Sequence, residues 1–258
     1  MLIVRSVVFN VLFYLNVVAH LIVMLPTFVM SRHAVIALAK SWSRTSLWLL
    51  RIICDLNVEW RGLEKIPPGG FIVASKHQSA WETFALVSLF SDFAFIVKRE
   101  LMWLPLFGWY MAKAGMIPVD RGKGSEALAA MNARARAELA RGRQIIIFPE
   151  GTRRPAGAEP KYKIGVARLY AETGAVCLPI ALNSGLFWPR RSFLRFPGTI
   201  RVEILDPIPA GLDLEIFFRR LQDAVEGATA RLIEEGEREV DRAAIVLAHQ
   251  PGKAERAE

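Results

Sequence analysis

The amino-acid sequence predicts an α/β fold: a single domain with a largely parallel, mixed sheet of about seven strands flanked by helices, preceded by a membrane-embedded helical hairpin. From residue 57 onward, short apolar runs alternate with helical stretches, whereas the first 56 residues hold long apolar segments. With 258 residues and 53% hydrophobic content, the chain can fill one sizeable core. We therefore expect three regions: anchoring helices in 1–56, the α/β domain in 57–247 and a polar tail in 248–258.

Apolar runs predict the strands of the sheet, at residues 58–61, 71–75, 93–98, 116–120, 144–148, 176–183 and 199–205. Residues 125–140 predict a helix that stops near Gly142, and residues 213–242 give a long amphipathic helical pattern. Strands that alternate with helices imply a largely parallel sheet covered by helices. Pro179 interrupts one strand and lacks a ladder donor, which indicates either an edge position or a bulge.

The N-terminal apolar segment can just reach across a bilayer. Residues 7–25 contain no Asp, Glu, Lys or Arg, and as a helix they would be about 28 Å long, against a hydrocarbon core of ~30 Å. No small-residue cleavage site follows, so we expect the segment to be retained. Residues 34–54 mix apolar side chains and tryptophan with Lys40, Arg44 and Arg51, a pattern typical of the lipid interface.

Positive charge flanks this apolar segment on both sides, at Arg5 and Arg32, so it selects no orientation for a single span. We favour a hairpin within one leaflet, with both ends on the cytoplasmic side, and an ordinary transmembrane anchor stays open as the alternative. In a hairpin, Asn10, Asn16 and His20 would bond to the partner helix or to water.

The chain is basic, with a net charge of +8, which favours anionic partners: phospholipid head groups, phosphorylated substrates or nucleic acid. Charge alone does not choose among them. Cys54 and Cys177 lie in apolar contexts with no CxxC spacing, and the four histidines form no metal-ligand spacing. We predict neither a structural disulfide nor a metal site.

His77 lies where the strand at 71–75 gives way to a helix, and carboxyl ends of strands are where ligands bind in open α/β sheets. Glu82 follows five residues later. Because residues five apart on one helix are offset by about 140°, His77 must precede the helix for its ring to meet the carboxylate. Ser79 and Glu82 fit a capping box with Ser79 as N-cap, so Glu82 could instead serve only as a cap.

Two further blocks carry positive charge just past apolar strands. Gly115–Arg121 ends on an arginine, and the run QIIIF opens into Pro149–Arg153, which reads PEGTR. In this turn the glycine permits a tight bend, Thr152 can donate a hydrogen bond, and Arg153 can grip a phosphate with two parallel bonds. The alternative interpretation is that Arg121 and Arg153 are solvated loop residues.

Taken in order, these blocks resemble the glycerolipid acyltransferase family, and within it the 1-acyl-sn-glycerol-3-phosphate acyltransferases. The matching blocks are His77 to Glu82, Gly115 to Arg121, Phe148 to Arg153 and the Pro-containing strand from Leu178 to Asn183, which together span residues 71–183. FPEGTR after an apolar strand is the most specific of them. The sequence departs from the family at Glu82, where most members have Asp.

The resemblance implies that the 57–247 domain is catalytic and transfers an acyl chain to lysophosphatidic acid, forming phosphatidic acid at the membrane, with lipids and not nucleic acid as partners. His77 would be the general base and Glu82 the acid that orients it. Lys98, Arg121, Glu150, Gly151, Thr152 and Arg153 would hold the acceptor head group. No cofactor is implied, because acyl-CoA or acyl carrier protein enters as a thioester co-substrate.

Other functions remain open at this stage. A related enzyme with another lysolipid acceptor, or a non-catalytic lipid-binding protein, would account for the anchor and the charge equally well, although the second would not need His77. A serine hydrolase would also use a histidine. The sequence contains no GxSxG elbow, and Ser79 lies only two residues from His77.

Overall fold

The structure is a computed structural model that describes residues 1–120, 122 and 124–248. Its helices are α1 (Leu2–Val23), α2 (Arg32–Cys54), α3 (Trp81–Ala85), α4 (Phe107–Lys113), α5 (Gly124–Ala140), α6 (Gly165–Thr173), α7 (Ser184–Phe187) and α8 (Leu214–Ala248). Its strands are β1 (Leu56–Arg61), β2 (Phe71–Ser75), β3 (Phe93–Lys98), β4 (Ile117–Val119), β5 (Gln144–Ile147), β6 (Cys177–Leu182) and β7 (Gly198–Ile204). Short 3-10 turns occupy Leu25–Val29, Leu63–Lys65, Leu86–Ser88 and Arg99–Trp103.

The strands form one seven-stranded sheet in the order β1-β7-β6-β2-β5-β3-β4. Every neighbouring pair is parallel except β6 and β7, which run antiparallel. The predicted fold class, a largely parallel mixed sheet flanked by helices, is therefore confirmed. Residues 83–90 have a helical pattern in the sequence, but α3 ends at Ala85 and the chain continues as the turn Leu86–Ser88.

Pro179 does not lie at an edge, so that part of the prediction was wrong. Strand β6 pairs with β2 on one side and β7 on the other. The antiparallel pairing shifts by one residue across the proline. Ile180 is the partner of Ile204, whereas Cys177, three residues earlier, is the partner of Ile208, four residues later. The one-residue difference corresponds to a bulge, the alternative interpretation of Pro179.

Helices cover both faces of the sheet. On one face, Phe71, Val73 and Ile146 pack against residues of α1, α2 and α3. On the other, Ile72 and Ile145 pack against apolar residues of α5, α6 and α8. Because the central strands are buried on both faces, their sequences are continuous apolar runs without polar alternation.

The N-terminal helices pair with each other, as the hairpin interpretation predicts. Asn16 donates to Ser46 Oγ of α2 at 3.1 Å, and His20 Nε2 lies 3.5 Å from Ser41 Oγ. Asn10 is different, because its side-chain amide donates to a backbone carbonyl in the loop before β7, at 2.8 Å. Asn10, Asn16 and His20 of α1 are thus bonded to protein, while most of the exposed residues of α1 are apolar.

Helix α1 is attached to the α/β domain at both of its ends. Near its start, Ser6 Oγ accepts the Arg195 amide at 2.9 Å, and near its end Tyr110 donates to Leu21 O at 2.8 Å. The stretch Leu2–Val29 is apolar enough to cross a membrane, with a mean hydropathy of 2.2, and 11% of its most apolar window is buried. The helix therefore lies along the domain with its apolar outer face exposed.

Candidate active site

The imidazole of His77 is fixed on both sides. Its Nδ1 lies 2.9 Å from Glu82 Oε1, and its ring stacks on Phe148 with centroids 4.0 Å apart and planes 15° from parallel. The residue follows β2 in the turn that enters α3, so the predicted geometry of the pair is confirmed. When Nδ1 donates to the carboxylate, Nε2 keeps its lone pair and can accept a proton.

Glu82 is fully buried and receives four hydrogen bonds. Its Oε1 accepts His77 Nδ1 and the amides of Gln78 and Ser79, at 2.9, 2.6 and 2.7 Å, and its Oε2 accepts the Ser184 hydroxyl at 2.8 Å. These donors stabilise a buried negative charge. Ser184 follows β6, far from the motif in sequence.

The capping function of Glu82 is therefore real and coexists with its bond to His77. The carboxylate accepts the Ser79 amide, as a capping box requires. The predicted N-cap was misplaced by one residue, because α3 begins at Trp81 and Ala80 directly precedes it. The Ser79 hydroxyl accepts the Trp81 amide at 2.8 Å.

The turn after β5 carries residues that line the same cavity as His77. Gly151 has φ of +64°, a conformation that favours glycine, and a Cβ there would lie 3.2 Å from Cδ and Cε of Lys163. Thr152 and Arg153 line the same cavity as His77 and Lys163. Among the described residues, none forms a hydrogen bond or ion pair with the Arg153 guanidinium. Lys163 is a cation that the sequence motifs did not identify.

Glu150 lies away from the cavity, which corrects its predicted place in the head-group site. Its side chain is buried, Oε1 accepts Lys76 Nζ at 3.0 Å, and Oε2 accepts the His77 amide at 3.4 Å. Burial raises the pKa of Glu150, and the neighbouring Lys76 opposes that rise. A carboxylate held in this way supports the backbone of the base and would repel a phosphate.

The other predicted cations lie near the rim or outside the described residues. Lys98 lines the cavity, is half exposed and pairs with Glu100 at 3.0 Å. Arg121 lies outside the described residues. Gly115, the first residue of its block, has φ of +74°, and a Cβ there would lie 2.7 Å from Nη1 of the buried Arg143. Close packing thus accounts for this glycine.

A cavity of about 770 Å³ connects these groups to an apolar interior. It lies at the carboxyl ends of β3, β4 and β5 and continues beneath the N-terminal helices. Its apolar lining includes Val17 and Leu21 of α1, Val35 and Ile36 of α2, Phe95 and Val97 of β3, and Tyr110 and Met111 of α4. A long hydrocarbon chain fits such a lining, with its polar end near His77.

No group of three or more His, Cys, Asp or Glu side chains in the described part of the chain has the arrangement of a metal site. Metal-free chemistry therefore stays a prediction. The cysteines Cys54 and Cys177 are both buried and carry free thiols.

His77, held by a buried carboxylate, lines a mainly apolar cavity that Arg153 also lines. This arrangement is typical of enzymes in which a histidine acts as a general base. Comparison with known proteins agrees with this class. A family model described as Acyltransferase matches residues 57–183. This region, residues 57–183, is therefore an acyltransferase domain of that family.

Two relatives and one solved structure illustrate the similarity. A 1-acyl-sn-glycerol-3-phosphate acyltransferase of Pseudomonas aeruginosa is 40% identical over 165 residues, which cover 64% of this chain and 64% of that relative, slightly less than two thirds. A lyso-ornithine lipid O-acyltransferase of the same species is 28% identical over 199 residues, covering 70% of this chain and 76% of the relative. The 1-acyl-sn-glycerophosphate (LPA) acyltransferase PlsC from Thermotoga maritima superimposes with a TM-score of 0.71 at 25% identity, covering 91% of this chain and 98% of that one.

Replacing Glu82 separates its two functions. Glu82→Gln keeps an oxygen that can accept the backbone amides, and the Ser184 hydroxyl can reorient to accept from the new amide group. It cannot balance the charge of an imidazolium. We expect a folded variant whose kcat falls by at least ~100-fold, measured on purified protein with the acyl-transfer assay described below.

Glu82→Asp should retain more activity than Glu82→Gln, because it keeps the charge and shortens the reach by one methylene. His77→Ala is the reference for full loss. Wild-type kcat in Glu82→Gln, together with an inactive His77→Ala variant, would assign Glu82 to capping alone.

Proposed function

We propose that the protein transfers an acyl chain from an acyl thioester to the 2-hydroxyl of 1-acyl-sn-glycerol 3-phosphate and so forms phosphatidic acid for phospholipid biosynthesis. The observation that carries this proposal is that His77, bonded to Glu82, lines one cavity with Arg153, whose guanidinium has no hydrogen-bond or ion-pair partner among the described residues. The same cavity is lined by apolar side chains suited to an acyl chain. The names of the relatives point to the same reaction.

In the proposed reaction, His77 Nε2 accepts the proton of the glycerol 2-hydroxyl while its oxygen attacks the thioester carbonyl carbon. The C–S bond then breaks, and the imidazolium returns the proton to the departing thiolate. Glu82 stabilises the imidazolium between these steps, and the ester and free thiol leave. Either acyl-CoA or acyl carrier protein can supply such a thioester.

The hydroxyl groups beside His77 argue against a serine hydrolase. Ser79 Oγ accepts the Trp81 amide and Ser184 Oγ donates to Glu82. Both are engaged in holding the turn and the carboxylate. The glycerol hydroxyl of the acceptor therefore fits the role of nucleophile, with no covalent intermediate on the enzyme.

The head-group site supports a phosphorylated acceptor. Arg153 offers two parallel N–H donors to a phosphate, and Gly151, Thr152 and Lys163 line the same cavity. Lys98, which lines the cavity, and Arg121 stay proposed contributors. The alternative acceptor is another lysolipid, as the name of the lyso-ornithine lipid O-acyltransferase relative suggests. The head group of such a lipid would bind these cations less strongly than a phosphate does.

An acceptor assay tests this function. Purified full-length protein in detergent is given a radiolabelled acyl thioester with lysophosphatidate, glycerol 3-phosphate, lyso-ornithine lipid or a neutral lysolipid, in the presence and absence of EDTA. We expect EDTA-insensitive transfer to lysophosphatidate in preference to the other acceptors. Preference for a different lysolipid would reassign the acceptor, and release of free fatty acid alone would indicate a hydrolase.

Removing the Arg153 guanidinium is expected to weaken acceptor binding. Arg153→Ala should raise the acceptor KM by about 10- to 150-fold, equivalent to ~1.5–3 kcal/mol for a charge-assisted contact, with little change in the donor KM. We predict the same direction for Arg121→Ala. Arg153→Lys should restore part of the binding, because an ammonium cannot form the paired contact.

Arg154→Ala is the matched control for Arg153, because the Arg154 side chain donates to Glu159 O and does not line the cavity. Its acceptor KM should stay near the wild-type value. An unchanged acceptor KM in both Arg153→Ala and Arg121→Ala would support the alternative interpretation, that both arginines are solvated loop residues.

We also propose that the N-terminal helices hold the protein in one leaflet of a membrane, with the α/β domain on the cytoplasmic face. The support is the attachment of α1 along the domain from Ser6 to Leu21. A helix that crossed the bilayer upright would have to break these contacts or draw Arg195 into the hydrocarbon core. Basic residues on both sides of the segment fit the same arrangement.

A thiol label tests this arrangement. Cys54 and Cys177 are buried, so Ile3→Cys, at an exposed position of α1, would supply an accessible thiol. Glu215→Cys on the exposed start of α8 marks the α/β domain. In sealed vesicles a membrane-impermeant maleimide should label both sites from the same side. Labelling of Ile3→Cys only from the opposite side would establish a full span.

A further inference from the structure

A buried ion-pair cluster lies directly behind the active site. Lys76 is 2% exposed, and its Nζ contacts Glu150 Oε1 at 3.0 Å and Glu226 Oε1 at 2.7 Å. Tyr162 donates its hydroxyl to the same Glu226 oxygen at 2.8 Å. Burial raises the pKa of Tyr162, so the phenol keeps the proton that it donates. Four segments of the chain meet in this cluster.

The cluster adjoins both halves of the site. Lys76 immediately precedes His77, and Glu150 accepts the His77 amide while lying three residues before Arg153. The Lys76–Glu150 bond therefore joins the backbone of the base to the turn that carries the phosphate-binding arginine. Glu226 belongs to α8, which packs on the sheet face opposite α1 and α2. It extends the connection to the other helical layer.

The charges of the cluster make its members unequal. One ammonium faces two carboxylates, so loss of Lys76 would leave the buried Glu150 and the partly buried Glu226 without their cation. Such a loss is strongly destabilising in proteins. Loss of Glu226 would leave Lys76 and Glu150 as a balanced pair in their present contact. A variant at Glu226 can therefore test the positioning of His77 while the Lys76 ammonium, which the fold requires, stays in place.

We propose that Lys76 and Glu226 are positioning residues that fix the spacing between the His77 base and the Arg153 anchor by tying both to α8. This inference rests on the proposed acyl transfer. An acceptor held by Arg153 reacts only when its 2-hydroxyl lies within hydrogen-bond reach of His77 Nε2. Loosening the connection misplaces the base while the cation that binds the acceptor remains.

The test compares Glu226→Ala with Glu226→Gln in the full-length enzyme. We expect Glu226→Ala to lower kcat about tenfold and to keep the acceptor KM within about twofold of wild type. The substitution should disturb the alignment of the His77 base, whereas Arg153, which binds the acceptor, is unchanged. Glu226→Gln should recover most of the kcat, since its side-chain oxygen can still accept from Lys76 and Tyr162. Lys76→Arg, which keeps the charge, should be folded and partly active.

Asp223→Asn is the matched control, since this carboxylate lies on the same helix but is exposed. It should leave both constants unchanged. Wild-type kcat in Glu226→Ala would overturn the proposal. So would a loss of activity that appears entirely as a raised acceptor KM, or one that Asp223→Asn reproduces.

Hydrogen–deuterium exchange gives a readout that does not depend on activity. The peptide covering residues 76–82 should exchange faster in Glu226→Ala than in wild type and Asp223→Asn, because the His77 amide is bonded to Glu150 within the cluster. Unchanged exchange would contradict the proposal. Failure of the proposed function is distinct, because it would appear as absent transfer to lysophosphatidate by the wild-type enzyme while the exchange result stands.

Discussion

The site depends on the hydrogen bond between the buried Glu82 carboxylate and His77. A fully buried carboxylate is stable only when protein donors replace its lost hydration, and here two amides of its own turn and the Ser184 hydroxyl do so. Ser184 follows β6, and the turn follows β2, so the donors converge only because β2 and β6 are neighbours in the sheet. Gln78, which accepts the Gly185 amide at 2.9 Å, bonds the same two segments together. The central strand pairing is thus a condition for the orientation of the imidazole.

Local signals in the sequence were sufficient for the strands and for the contact of His77 with Glu82. Apolar runs marked the strands within two residues, and the 140° helical offset required His77 to precede α3. Long-range contacts left no such signal. Glu150 was predicted in the head-group site because a motif does not reveal which way a side chain points. Its partner Lys76 also binds Glu226, which lies on α8, more than seventy residues from Glu150. Ser184 was missed for the same reason, since only the adjacency of β2 and β6 brings it to Glu82.

Composition described the N-terminal segment as an anchor, and the structure adds that it forms part of the active-site cavity. Val17 and Leu21 of α1 and Ile36 of α2 line the cavity, whereas other apolar residues of α1 are exposed. One helical layer therefore has an apolar surface on each side, one toward the cavity and one outward. This arrangement matches a lipid substrate, because the hydrocarbon chain would exchange one apolar environment for another and would not cross water. The same requirement accounts for Asn16 bonding within the helix pair and leaving the outer face apolar.

The register of β2 and β5 sets where the base and the acceptor anchor meet. Ala74 is the partner of Ile147, and the same offset continued past the strand ends places His77 opposite Glu150, where their hydrogen bond is found. Side chains alternate between the faces of a sheet. If β2 slipped by one residue against β5, Lys76 and not His77 would lie opposite Glu150, and the side chains of one strand end would point to the opposite face of the sheet. After Glu150, whose position the register fixes, the chain turns at Gly151 with its positive φ, and Arg153 lines the cavity. The relative placement of base and cation is therefore a property of strand register, which explains why both motifs begin at the ends of adjacent, fully buried strands.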